Sequence, residues 1–487
     1  MGRWSRRMRE LALLTMTTGA GCGLLSSDES PRPVAAPQSP VAGPTTTASP
    51  AGHKSPQVAD VRWLIVGGGG SPDLSQVSLA QDAAAVAKAL GGDGWVLFNG
   101  GQGAAPLQVW EPQRRATGLR HTLADLFAPR GGRDSRYVQA DLAIDGPATR
   151  GEVEARLRQL LERPGAPLTV WFATHGDVAE TPAQNRLLLW EQSELDAVEL
   201  SHLLDGAPGT REVRFVSTAC FGGGLAEVVF RGADARLGAS ATPRCGLFAT
   251  TDDLPAAGCD PNPDRIAQEG YAVNFLAALD GKSSTGATIA ADFDNDGKVS
   301  WLEAHAAVRI HSSSADVPTT TSERWLRQSA PLLGNEAPVD LPEEAAVVRE
   351  LAARLQIESE AAARGELQHL ESRIAPLDAA LREVLAEEEE AARAAIGELL
   401  GRWPVLDDPW HPDFEPTLAA GSSAIEAYLA RSSAMASYRD AQQRAHALDE
   451  QLWSLRRQAA PLERLVRAYE TLALARRMKA EGGEGWR

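Results

Sequence analysis

The chain has 487 residues, 43% of them hydrophobic, enough to bury more than one core, which excludes a disordered or collagen-like polymer. Its 48 Lys and Arg stand against 65 Asp and Glu, and a net charge of −17 repels phosphate backbones, so no nucleic acid is expected as a partner. Four cysteines are too few for a disulfide scaffold, and none stands in a CxxC pair.

In chain order, Arg3, Arg6, Arg7 and Arg9 precede an apolar stretch over 11–18, and Gly19, Ala20 and Gly21 lead into Cys22. Residues 1–22 resemble a bacterial lipoprotein signal, and the resemblance implies lipidation of Cys22. The chain would then sit in the bacterial cell envelope, held to a membrane by its lipid, at the periplasmic face of the outer membrane or at the cell surface. No other apolar run is long enough to span a bilayer. Residues 23–57 are rich in Pro, Ser, Thr and Ala and contain no aromatic residue, a composition that reads as a disordered tether.

Folded sequence is expected over 58–312. Apolar runs predict strands over 61–66, 95–98, 168–173, 213–217 and 247–250. Helical spacing predicts helices over 76–90, 194–204 and 223–230. A further helix opens on a capping box of Thr149 and Glu152 and carries Val153, Leu157, Leu160 and Leu161 as its apolar stripe. This alternation argues an α/β fold, with a mostly parallel sheet sandwiched by helices. Functional groups in such sheets collect at the carboxyl ends of the strands. The glycine run 67–70 lacks the GxGxxG spacing of a dinucleotide site, and no organic cofactor is expected.

Two residues stand at that edge. His175 follows one predicted strand and is followed by Gly176; Cys220 follows another, within Thr218-Ala219-Cys220-Phe221-Gly222-Gly223-Gly224. A thiol becomes a useful nucleophile when an imidazole or a helix N-terminus favours its thiolate, and this pattern supplies both. The order strand-His-Gly, then strand-Ala-Cys-x-Gly-Gly, resembles the core of caspase-like cysteine peptidases, nearest to the legumain-type and bacterial branches, over residues 60 to 312. The resemblance implies that Cys220 is the nucleophile, that His175 is the general acid and base, and that the N–H groups of Gly176 and Cys220 form the oxyanion hole. The substrate would be a protein or peptide. Relatives that cut after basic residues commonly carry an acidic side chain two positions before the cysteine, where this chain has Thr218. Asp252 and Asp253 stand where they could charge a specificity pocket or simply be solvated.

Cys245 and Cys259 flank the strand before Asp252. Outside the cytoplasm such a pair is expected to oxidise, and closing a loop of this length is worth about 3 kcal/mol.

Residues 292–303 match a calcium loop of the EF-hand type, with Asp292, Asp294 and Asp296 as carboxylate ligands and Gly297 at the turn. Lys298 supplies its carbonyl, and Ser300 and Glu303 complete the pattern. Calcium is therefore expected in a structural role. Bacterial caspase-like proteins often carry a similar loop at this point.

Residues 313–341 read as a linker, and 342–487 as an antiparallel helical hairpin of coiled-coil type. In one arm Leu370, Ile374, Leu377, Leu381 and Val384 form a stripe; in the other Leu448, Leu452, Leu455, Ala459, Leu462, Val466 and Tyr469 do so. Pro376 and Pro461 are expected to kink or restart the arms. The hairpin suits self-association or a partner. The reading is therefore of a cysteine endopeptidase; the alternative is a non-catalytic caspase-like scaffold, or a calcium-binding lipoprotein, that engages a partner through these helices.

Overall fold

The computed structural model describes residues 61–111, 118–127, 135–162, 165–207, 211–330, 334–409 and 411–482. The expected signal, its expected lipidation site Cys22 and the expected tether lie outside the described residues.

A mixed, mostly parallel sheet forms the centre. Its strands β1 (Trp63–Gly68), β2 (Gly94–Phe98), β5 (Leu168–Asp177), β8 (Val213–Ser217), β9 (Arg244–Phe248) and β10 (Thr319–Thr320) lie in the order β10-β9-β8-β5-β1-β2. Only the short β10 runs antiparallel to its neighbour along this path. Two further strands, β6 (Arg186–Leu189) and β7 (Ser193–Asp196), extend antiparallel from the far end of β5. The strands are apolar on both sides because both sides are covered. Leu64, Val66, Val170 and Phe172 face one core with the helices α3 (Arg150–Leu161) and α4 (Ala197–Asp205). Ile65, Val96, Trp171 and Val216 face the other with α1 (Val77–Leu90), α5 (Tyr271–Asp280) and α6 (Trp301–His311).

Several expectations are corrected. The helix expected from 194 starts at Ala197, because Asp196 and Glu199 form a reciprocal capping box and the residues before it pair as β7. The helix expected over 223–230 is a 3-10 helix, Gly222–Val229, and glycine-rich segments do not favour the α-helix. A separate antiparallel pair, β3 (Pro106–Trp110) with β4 (Ser135–Gln139), and the helix α2 (Leu119–Phe127) add to the elements expected from apolar periodicity. The expected linker 313–341 contributes β10 to the sheet and continues into α7 (Thr321–Ser329), where the Thr321 hydroxyl accepts the Gly246 N–H at 2.9 Å.

The C-terminal helices are α8 (Pro342–Leu355), α9 (Glu360–Leu400), α10 (Phe414–Leu429) and α11 (Ser433–Gly482). Both long arms run unbroken through Pro376 and Pro461. Leu370 packs with Leu462 and Val466, and Leu381 and Val384 pack with Leu452, the antiparallel seam expected from the stripes. The arms dock on the α/β region at two places. Ala306 and Ile310 of α6 enter one helical core, and Leu119, Leu123 and Leu126 of α2 enter another. Among the described residues no helix is long and apolar enough to cross a membrane.

Candidate active site

Strands β5 and β8 are neighbours whose last paired residues are Phe172 and Ser217. His175 and Cys220 each lie three positions further on (172 to 175, 217 to 220), so parallel register alone delivers both to one edge of the sheet. Two backbone features fix the approach. A Cβ at Gly176 would stand 2.0 Å from the Cys220 carbonyl oxygen, so only glycine permits this contact between the end of β5 and the Cys220 turn. Phe221, directly after the cysteine, is left-handed at φ 56, which is costly for a bulky residue. Its buried ring and its N–H bond to the Leu254 carbonyl at 2.9 Å hold the turn.

The imidazole is held from the other side. Nε2 of His175 lies 2.8 Å from the Leu74 carbonyl and 2.9 Å from Oε1 of Gln76. A carbonyl only accepts, so Nε2 carries the proton and Nδ1 presents its lone pair. The glycine run has its use here: a Cβ at Gly69 would stand 2.1 Å from that same Leu74 oxygen. Asn99, fully buried, accepts the Gly69 N–H at 3.1 Å and the Ser75 hydroxyl at 2.8 Å, which ties the 69–76 loop to β2. Burial holds the His175 pKa below its ordinary value, and the Leu74 carbonyl and Asp73 oppose that shift. The ring is therefore neutral at neutral pH.

The segment after β9 crosses this edge. Ala256 donates its N–H to Cys220 Sγ at 3.3 Å, while Cys259 Sγ lies 3.5 Å from His175 Nδ1. Cys220 is partly exposed and Cys259 is buried. The expected Cys245–Cys259 disulfide is not formed. Cys245 pairs with Arg214 near the start of β8, at the amino end of the parallel strands, whereas Cys259 sits beside His175 at the carboxyl end. Thr218 is buried with its hydroxyl on the Phe172 carbonyl at 3.3 Å, so it offers no charge to a pocket. Asn185 binds the Asp252 carbonyl at 2.6 Å, and the Asp253 carboxylate accepts from Thr251 at 2.7 Å. Gln76, Asn99, Asn185 and the role of Cys259 beside the imidazole went unread in the sequence. The only signal for Gln76 was its place at a helix start just after the first strand.

In the calcium-type loop, carboxylate oxygens of Asp292, Asp294 and Asp296 converge within 4.8 Å of one another. Asn295 and Gly297 are left-handed, at φ 63 and φ 84, which produces the sharp turn. These three donors fit a hard divalent cation. Glu303 is buried and engaged differently: it accepts the N–H groups of Phe293 at 2.7 Å and Asp294 at 3.2 Å and caps α6 at Ser300.

Comparison with known proteins gives no match to a family model and none to a curated protein.

Proposed function

We propose that this chain is a cysteine endopeptidase with a caspase-like α/β domain, acting on protein or peptide substrates. The observation that carries the reading is the placement of His175 and Cys220 at equivalent positions beyond paired strands, with Gly176 against the Cys220 carbonyl. With substrate bound, Nδ1 of His175 takes the Cys220 proton as sulfur attacks the scissile carbonyl carbon. The N–H groups of Gly176 and Cys220 face the developing oxyanion. Collapse forms the thioester, and the departing amine leaves with the proton from His175. Water, deprotonated by the same ring, hydrolyses the thioester and restores the thiol. Asp292, Asp294, Asp296 and the Lys298 carbonyl would hold calcium, with Glu303 joining once it leaves the loop amides; the cation would neutralise carboxylates that otherwise repel one another. Lipidation of Cys22 would tether the enzyme to a membrane of the cell envelope, and the helical arms would serve a partner or a second copy.

A second reading has one observation in its favour: the thiol 3.5 Å from Nδ1 is that of Cys259. Cys220 is preferred because it is the more exposed thiol and stands on the strained turn. Digestion of a peptide library by the full chain separates the two. Loss of cleavage in Cys220→Ala, with cleavage kept in Cys259→Ala, is the expected result; the reverse pattern assigns the nucleophile to Cys259, and absence of cleavage in wild type, in both variants and in Asp316→Ala, which frees segment 256–259, removes the peptidase.

A further inference from the structure

The helical region lacks a role in the chemistry above, yet one of its side chains is linked to the candidate site through a continuous run of hydrogen bonds. Arg464 of α11 is fully buried, and a buried guanidinium is retained only where its donors are satisfied. It donates to the carbonyls of Asp316 at 2.7 Å, Ser312 at 2.9 Å, Ser314 at 2.7 Å and Arg309 at 3.5 Å, gathering the end of α6 and the turn after it as no apolar side chain could. The carboxylate of Asp316, itself buried, accepts the N–H of Ala257 at 2.7 Å. Ala257 lies between Ala256, whose N–H meets Cys220 Sγ, and Cys259, whose thiol meets Nδ1 of His175. The chain of contact from α11 to the two reacting atoms is therefore continuous: Arg464, the 312–316 turn, Asp316, Ala257, then sulfur and imidazole.

We infer that Arg464 and Asp316 are positioning residues through which the helical region holds segment 256–259 in place on His175 and Cys220. This inference rests on the peptidase reading for its consequence and on the contacts above for its geometry. In the held state the accepting nitrogen of the base is turned to Cys259, and the nucleophile receives an N–H from Ala256. A substrate carbonyl needs both positions. Segment 256–259 must therefore withdraw before the dyad works, and the contacts of Arg464 and Asp316 oppose that withdrawal.

The test compares the full chain with Asp316→Ala, which removes the acceptor for Ala257, and with Cys259→Ala, which frees Nδ1 without touching the buried arginine. Arg464→Lys keeps the charge and loses the fork that spans four carbonyls. Two readouts are taken: the rate at which iodoacetamide alkylates Cys220, resolved by peptide mass mapping, and amide exchange at Ala256 and Ala257. Loss of one such contact is expected to speed alkylation about tenfold in Asp316→Ala and Cys259→Ala, with Arg464→Lys between them and wild type. Exchange at 256–257 should quicken in Asp316→Ala and Arg464→Lys, while melting temperatures stay high enough to show a folded chain. Unchanged alkylation in both Asp316→Ala and Cys259→Ala overturns the inference. Faster alkylation without turnover of any peptide would instead remove the peptidase reading and leave the coupling standing.

Discussion

Oε1 of Gln76 lies 2.9 Å from Nε2 of His175, on the side of the ring away from the thiols. Together with the Leu74 carbonyl it fixes the tautomer, so that Nδ1 is the basic atom. Gln76→Leu should lower kcat by about tenfold with KM nearly unchanged, since it removes orientation and leaves the peptide-binding surface intact. Gln76→Glu places a carboxylate on the imidazole and should move the acid limb of the kcat/KM profile to higher pH. Matched pH profiles of the three proteins check this; a Gln76→Glu profile that overlays wild type would show that Gln76 does not govern the ring.

Gly176→Ala puts a methyl where the Cys220 carbonyl oxygen sits, 2.0 Å from the ideal Cβ position. Backbone must shift, because neither atom belongs to a flexible side chain. Turnover should fall by about 100-fold, the order expected when a reacting group moves by about 1 Å. Overpacking should also cost about 1–3 kcal/mol in urea unfolding. A variant that unfolds normally and turns over normally would contradict the close approach.

His305 gives a pH signature of the fold. Its Nδ1 lies 2.7 Å from the Tyr271 hydroxyl, and burial, aided by Arg309, lowers its pKa to about 3. The unfolded ring titrates near 6.5, so below that pH the unfolded state binds a proton that the folded state refuses. The contribution of His305 to stability is complete above about pH 6.5. It is lost as pH falls toward 3, with a slope approaching about 1.4 kcal/mol per pH unit. The stability gap between wild type and His305→Gln should be flat above pH 7 and close steadily from pH 6.5 to 5 in denaturant titrations. A gap that ignores pH would mean the ring is not buried neutral.

Calcium should raise the melting temperature, since a cation bound only by the folded loop adds about 2.7 kcal/mol at a hundredfold excess over its Kd. Asp294→Asn with Asp296→Asn should abolish the shift and leave the calcium-free melting temperature unchanged or slightly higher, because repulsion among three convergent carboxylates is relieved. An equal calcium shift in the double variant would place the cation elsewhere.

The sheet was legible because its apolar runs are bounded and its helices carry caps, so β1, β2, β5 and β8 lie close to where periodicity puts them. The helical seam was legible for the same reason. The β3–β4 pair was not: its strands carry Gln108, Arg136 and Gln139, and their alternation gives no apolar run. His175 and Cys220 could be found from strand-end chemistry. The place of Cys259 beside His175 could not, since its spacing to Cys245 says nothing of which neighbouring strand end its loop folds onto. Nor could Arg464 be distinguished from the solvated arginines of a long helix; only tertiary structure shows its four carbonyl partners.

The central claim is that the imidazole of His175 activates the sulfur of Cys220. Labelling the full chain with a peptidyl acyloxymethyl ketone, followed by mass mapping of the adduct, addresses it directly. The account predicts one adduct, on Cys220, formed at least about 100-fold more slowly in His175→Ala. An adduct on Cys259, or a Cys220 adduct whose rate does not change when His175 is removed, would contradict it.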